Sequence, residues 1–354
     1  MVAALLLHTG AAEESHPWVL GDPRVRAACE WRHAAVRAEG SLARVVAGWR
    51  GAGDLRDGVL VTTEYFVALG ANLRLRLSRS PVRHVVWGLN QSRRVLDLPG
   101  TRHLASWLFR RSDTLVVHSR QEALLFSRLH ALDEQKFRFV RWGFDLPPRS
   151  ARTFAPTGQP YVCLIGRNNR DIRTFVRGLA GTGLQGVVIT SGLAGELREE
   201  IARRPDIQLH EDLPMGDCLA CIEGAMANVV LVNDDSRGAG HITMVAAMLM
   251  GKAQIISRAA VTLDYFDDGR TALGVPIGGE AEYRFALERL RDDEGLRASL
   301  GRNAKAFAET HLTHGAVVNG FLAVLEEASE PRPCQAVGAA TSHVGTPSGI
   351  SKTP

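Results

Sequence analysis

The segment "YVCLIGRNNRD", residues 161–171, runs from an apolar stretch straight into Gly166, Arg167 and Arg170. A guanidinium presents paired donors in one plane and so matches the oxygens of a phosphate. A loop that follows a buried strand of an open α/β sheet lies on the edge where ligands bind. A second segment, "VVLVNDDSRGAGHITMVAAMLMGK", residues 229–252, repeats the arrangement: apolar stretch, polar loop, glycines, then a helix that opens at His241, Ile242 and Thr243. The first turn of a helix carries unpaired amides and positive partial charge, which makes it an anion site. One loop supplying cations and another supplying a bare helix end could clasp a diphosphate between them.

The helix after Gly240 is apolar on every side from Met244 to Met250. Such a helix belongs in a core, and Gly251 is the expected stop. A charged histidine is disfavoured at a helix N-terminus, so His241 is expected as a neutral imidazole that could bond a hydroxyl. Plain structural readings stand beside these: surface arginines on a loop, and His241 as a spacer in the turn.

Few other chemistries are encouraged. No Asp-x-Asp pair of the metal-holding kind occurs, and no metal is expected. The cysteines are Cys29, Cys163, Cys218, Cys221 and Cys334, with no second pair to complete a zinc site. Cys218-x-x-Cys221 falls in "MGDCLACIEGAMA", which reads as a small-residue helix rather than a redox motif. A net charge of +4, from 42 basic against 38 acidic residues, is too small and dispersed for a nucleic-acid binder. No apolar run reaches the length of a membrane span, and the opening "MVAALLLHTG" lacks a basic leader. A cytoplasmic location is expected, with peripheral membrane contact through surface arginines left open.

The elements that must position these residues follow from hydrophobic patterning. Continuous apolar stretches recur, "VAALLL", "GVLVTT", "RHVVWGL", "TLVVHS" and "FRFVRWG" in the first half, then "YVCLIG", "GVVITS", "DIQLHE", "ANVVLVN" and "KAQIIS". Continuity rather than alternation indicates strands covered on both faces, with helices between them, hence parallel βαβ units. The fold class is therefore α/β, with two Rossmann-like doubly wound domains. A length of 354 residues agrees with two cores. Proline, glycine and polar residues between Pro147 and Pro160 mark the seam, which divides the chain into 1–148 and 149–329. The tail 330–354 is rich in Pro, Gly, Ser and Thr and is expected to be disordered.

In the first domain the strand ends offer Glu64 after "VLVTT", Asn90 after "RHVVWGL", and His118 and Ser119 after "TLVV". Each is a candidate cleft residue, and each also reads as a cap or turn residue.

"VVHSRQEALLF", "KFRFVRWGFD", "YVCLIGRNNRD", "GHITMVAAMLMGKAQIIS" and "LDYFDDGRTALGVPIG" stand in the order and approximate spacing of a GT-B glycosyltransferase. The chain thus resembles the retaining group that contains sucrose and glycogen synthases, family 4 and its relatives, over about 114–325. The resemblance implies two domains facing across a cleft, the first holding an acceptor and the second a nucleoside-diphosphate sugar. It implies a metal-independent, cofactor-free transfer of a sugar to an acceptor hydroxyl, with a natural product or glycan intermediate as acceptor. By that resemblance Arg167, Arg170 and His241 are the catalytic candidates, and Gly166, Gly240, Ile242 and Thr243 bind the sugar donor. Glu64, Asn90, His118 and Ser119 would face the acceptor.

One departure is conspicuous. The family carries two glutamates with seven residues between them; here the second position is Ala246 and the first falls near Arg237 or Gly238. Asp234, Asp235 and Glu211 are the nearest substitutes, and Asp235 is taken as the candidate for the sugar-donor site. Two alternatives follow: a GT-B sugar-nucleotide epimerase, for which acid and base carboxylates are not located, and a non-catalytic GT-B partner subunit, favoured only by the missing glutamates.

Overall fold

The structure, a computed structural model, describes residues 2–8, 21–36, 39–89, 100–154, 158–235 and 238–330. Asn90, Arg237 and the tail beyond Glu330 lie outside the described residues. The first sheet consists of β1 (Val2–His8), β2 (Cys29–Ala35), β3 (Val59–Thr62), β4 (Arg83–Val86), β5 (Thr114–Val117) and β6 (Phe137–Phe139). The second consists of β7 (Tyr161–Ile165), β8 (Gln185–Thr190), β9 (Ile207–Glu211), β10 (Ala227–Val230), β11 (Gln254–Ser257) and β12 (Leu273–Val275). All strand pairs are parallel.

The strand orders are β2-β1-β3-β4-β5-β6 and β12-β11-β10-β7-β8-β9. The second is the Rossmann order, which reverses direction between β7 and β10. Ten of these strands coincide with the apolar stretches of the sequence; β2 and β12 are the additions. β2, CEWRHAA, is interrupted by charged and polar side chains, and β12, LGV, is three residues long, so neither forms a continuous apolar stretch. β3, β5, β7, β10 and β11 are buried along their whole length.

The connecting helices are α1 (Pro23–Ala28), α2 (Ser41–Gly51), α3 (Tyr65–Leu77), α4 (Thr101–Phe109) and α5 (Arg120–His130) in the first half. The second half contains α6 (Ile172–Leu179), α7 (Gly195–Ala202), α8 (Met215–Gly224), α9 (His241–Leu249), α10 (Glu280–Asp292), α11 (Glu294–His311) and α12 (His314–Ser329). α9 is the apolar helix of the sequence. Met244, Val245 and Met248 are fully buried among Ile256, Tyr265, Ala304 and Ala308. Cys218 and Cys221 lie on α8 as free thiols within an apolar cluster.

Division by packing differs from division by sequence at α12. Its Val317, Val318, Phe321, Val324 and Leu325 pack with Ala4, Leu6, Val59, Val61 and Val85, the core of the first sheet. The Phe321 ring meets Trp87 edge-on, with centroids 4.8 Å apart. An apolar helical face is satisfied by any complementary sheet, and sequence order does not say which. The chain therefore crosses between the domains twice, and the crossings lie side by side. Phe144 N donates to Leu312 O at 3.0 Å, and His314 N donates to Asp145 Oδ1 at 3.1 Å.

Candidate active site

The loop after β7 and the turn before α9, which follows β10, flank the point where the second sheet reverses its order, the usual ligand crevice of such sheets. Gly166 has φ +147°, and a β-carbon there would come within 2.5 Å of the Arg170 guanidinium. Across the crevice Gly240, φ +95°, would place a β-carbon 3.7 Å from the same group. Gly166 thus leaves the space that the guanidinium fills, while Gly240 lies in ordinary contact with it. Arg170 donates through Nε to Ile165 O at 3.0 Å and through a terminal nitrogen to Asn168 O at 3.0 Å. Among the described residues it pairs with no carboxylate. Burial pulls its pKa down to about 10, so the group is still a cation at neutral pH.

The loops carrying these groups are tied together. Asn169, at φ +52°, accepts from Asn233 N at 3.2 Å and donates to Asp234 O at 2.9 Å. Asn233 Nδ2 donates to Arg170 O at 3.0 Å. Paired amides cross-link the carboxyl ends of β7 and β10 and set the distance between Arg170 and the α9 turn.

That turn has no side-chain cap, because Gly240 has no side chain and sits in the left-handed region. The amides of His241, Ile242 and Thr243 have no acceptor among the described residues. Ile242 is 44 % exposed. The Thr243 hydroxyl, expected to assist the amides, donates instead to Gly240 O at 3.2 Å. Asp235 Oδ1 accepts from Ala260 N at 2.8 Å, which makes it a brace for the neighbouring loop. Glu211 is engaged in a paired bridge to Arg198 at 2.8 Å. Ala246 is buried in the core, so no carboxylate is offered at that position.

His241 is buried, stacked on Tyr265 with centroids 4.4 Å apart. Its Nε2 lies 3.0 Å from Val261 O, and a carbonyl only accepts, so Nε2 carries the proton. Nδ1 is left as an acceptor. Burial lowers its pKa to about 4, which leaves the ring neutral near pH 7.

The first domain contributes His118 at the end of β5. Its Nδ1 donates to Val140 O at 2.8 Å, which leaves Nε2 as acceptor, 3.1 Å from where a β-carbon on Gly88 would stand. Burial lowers this pKa as well. Each domain therefore supplies one neutral imidazole with one nitrogen fixed and the other open. Tyr265 joins them: its hydroxyl donates to His118 O at 2.8 Å and accepts from Trp142 N at 2.7 Å, while its ring carries His241.

Several candidates stand elsewhere. Arg167 is 66 % exposed and faces Asp212 at 3.7 Å. Ser119 is the N-cap of α5, accepting from Gln121 N and Glu122 N and donating to Ala260 O at 3.3 Å. Glu64 caps α3 through Val67 N at 2.9 Å. Asn90 lies outside the described residues.

The sequence reading overlooked Glu122. It is buried, with Oε1 accepting from Gly238 N at 2.8 Å and Oε2 from His118 N at 3.1 Å. One signal could have drawn attention to it: Ser119-x-x-Glu122 is a capping-box spacing at a helix start. That pattern explains the contact with its own helix end and says nothing of Gly238. Among the described residues no three His, Cys, Asp or Glu side chains gather in a way that could hold a metal ion.

No protein-family model and no curated protein matches the sequence. Solved structures do match over nearly the whole chain. HepE of Anabaena, solved with UDP-glucose, shares 13 % identity at TM-score 0.70, covering 92 % of this chain and 100 % of its own. Sucrose-phosphate synthase of Thermosynechococcus elongatus shares 14 % identity at TM-score 0.71, covering 92 % and 98 %. A glycosyltransferase of Rickettsia africae shares 11 % identity at TM-score 0.70, covering 92 % and 98 %. The chain has the two-domain GT-B fold of these proteins.

Proposed function

We propose that the protein transfers a sugar from a nucleoside-diphosphate sugar to an acceptor hydroxyl. The observation that carries this reading is Arg170, a partly buried cation with no carboxylate partner among the described residues, set beside a helix end whose three amides have no acceptor among them. A buried charge needs a counter-charge, and the chemistry of this one fits a diphosphate. That HepE, of the same fold, is solved with UDP-glucose supports the choice of a nucleotide sugar.

In this reading Arg170 and the amides of 241–243 stabilise the negative charge that grows on the leaving diphosphate. The bond from the anomeric carbon to phosphate oxygen breaks, a bond to the acceptor oxygen forms, and the acceptor's proton passes to the leaving phosphate. Retention of configuration and independence of metal belong to the proposal. His241 Nδ1 and His118 Nε2, both acceptors, orient hydroxyls of the sugar and acceptor. Arg167 attends the rim. The acceptor is a natural product or glycan intermediate.

The test is to incubate the protein with UDP-, GDP- and dTDP-sugars, with and without candidate acceptors, and to measure nucleoside diphosphate release. Release that depends on Arg170 supports the reading. Absence of both release and any thermal shift with nucleoside diphosphates defeats it.

A further inference from the structure

Glu122 is a buried carboxylate at the seam between the domains, and the cost of its burial exceeds what the amides around it return. Its two oxygens accept from amides of different domains, Gly238 N at 2.8 Å and His118 N at 3.1 Å. A carboxylate is the side chain that accepts on both oxygens; an amide or a protonated acid turns one of them into a donor. A β-carbon on Gly238 would stand 2.8 Å from Glu122 Oε1 and 3.0 Å from His241 Cε1. Glycine at 238 is therefore what admits the carboxylate, which fills the space a side chain there would need. That is the neighbourhood in which the sequence resemblance expects a glutamate and finds none.

We propose that Glu122 is the positioning residue of the site: its ionised carboxylate, reaching from the first domain, holds the Gly238–Thr243 turn in register with His118. This rests on the reading of the site as a sugar-transfer centre. The carboxylate binds no substrate; it places the α9 amides and His241 on one side and His118 on the other. Domain alignment and site geometry are then coupled through this group, beside the Tyr265 and Arg120 links.

The surroundings single it out as the group that titrates near neutrality. Burial pushes its pKa up to about 7, against the pull of the Gly238, His118 and Ser119 amides and with help from Asp264. The groups around it are His118, Tyr265 and Asp264, the last paired with Arg120 at 2.7 Å, and His241 borders the same space beside Gly238. Both imidazoles are held below the usual histidine range and the Tyr265 phenol well above its own. Neither imidazole gains charge as pH rises through 7, and the phenol stays neutral there.

The experiment compares the parent with Glu122→Gln. UDP, GDP and dTDP are the binding probes by calorimetry; turnover and melting temperature are followed from about pH 5.5 to about pH 8.5. Expected for Glu122→Gln is nucleotide binding about three- to tenfold weaker, through the displaced α9 amides, with kcat falling by more than binding does, about tenfold or beyond, at high pH. The parent's kcat falls as pH drops below about 7, and in the variant that acid limb is absent. The melting temperature of the variant relative to the parent rises with pH, because ionising a carboxyl whose pKa is raised by folding destabilises the parent alone. Unchanged kcat, a retained acid limb, or a loss of binding and melting temperature together at every pH would overturn the proposal. If the parent neither binds nucleotide nor turns over, the transferase reading fails. The melting comparison then decides the role of Glu122, and a difference that is flat with pH rejects it.

Discussion

Tyr265 stacks its ring on His241 with centroids 4.4 Å apart and donates its hydroxyl to the backbone carbonyl of His118 at 2.8 Å. One side chain thereby joins the imidazole of the second domain to the strand end that carries the imidazole of the first. Tyr265→Phe keeps the stack and deletes the bridge, leaving the Trp142 amide without the acceptor it has at 2.7 Å. The expected loss of stability is about 1–3 kcal/mol, measured by denaturant unfolding. A loss well below that range contradicts the bridge.

Arg170 is the group whose removal should weaken nucleotide binding most. A hydrogen bond to a charged group is worth about 1.5–3 kcal/mol, so Arg170→Ala should lower nucleoside diphosphate affinity by at least about tenfold. Arg170→Lys keeps the charge and loses the planar fork, and is expected to fall between. Calorimetry with UDP, GDP and dTDP checks both; equal binding by parent and Arg170→Ala removes Arg170 from the site.

Arg167 should behave differently from Arg170. Its pair with Asp212, at 3.7 Å between side chains 66 % and 68 % exposed, is of the kind that contributes little. Arg167→Ala is expected to leave stability within about 0.5 kcal/mol and to reduce nucleotide affinity less than Arg170→Ala does. A larger loss for Arg167→Ala would reverse the order of importance assigned to the two.

Gly240 tolerates no side chain. A β-carbon would meet Val230 Cγ1 at 2.6 Å, and the φ of +95° is strained for any other residue. Gly240→Ala should cost at least about 1–2 kcal/mol of stability and tilt the α9 amides away from Arg170. Unfolding measurements and nucleotide titration report the two effects separately.

Stability should fall on acidification through the buried histidines. Burial holds His241 at about 4 and His84 at about 3, so each takes up its proton in the unfolded chain first. A histidine with a lowered folded pKa contributes stability above its unfolded value near 6.5, lost as pH falls through the folded pKa. The His241 contribution over that window is on the order of 3 kcal/mol. Glu122, with a raised pKa of about 7, works in the opposite sense: its stabilising share is present at low pH and lost as pH rises through about 7. His241→Asn should flatten the acid side of the melting curve against pH, while Glu122→Gln should flatten the part approaching neutrality.

Much of the scaffold was legible because its signals are local. Continuous apolar stretches marked ten of the strands, and the glycines beside Arg170 and His241 marked the two loops at the sheet's reversal point. β2 escapes the apolar pattern because Glu30, Arg32 and His33 interrupt it, and β12 because it is three residues long. Arg167 and Arg170 looked equivalent in the sequence; the turn through Asn169 sends one to the crevice and the other to Asp212. Thr243 and Asp235 had suitable chemistry, and local hydrogen bonds use it for the fold.

By itself, the sequence determined the two parallel sheets, the buried α9, and the pairing of a cationic loop with a bare helix end, because periodicity and glycine placement act within a few residues. The tertiary structure alone decided that α12 covers the first sheet and that Glu122 reaches Gly238, a partner 116 residues away. Such contacts depend on how two domains pack, and nothing near either residue encodes the other's position.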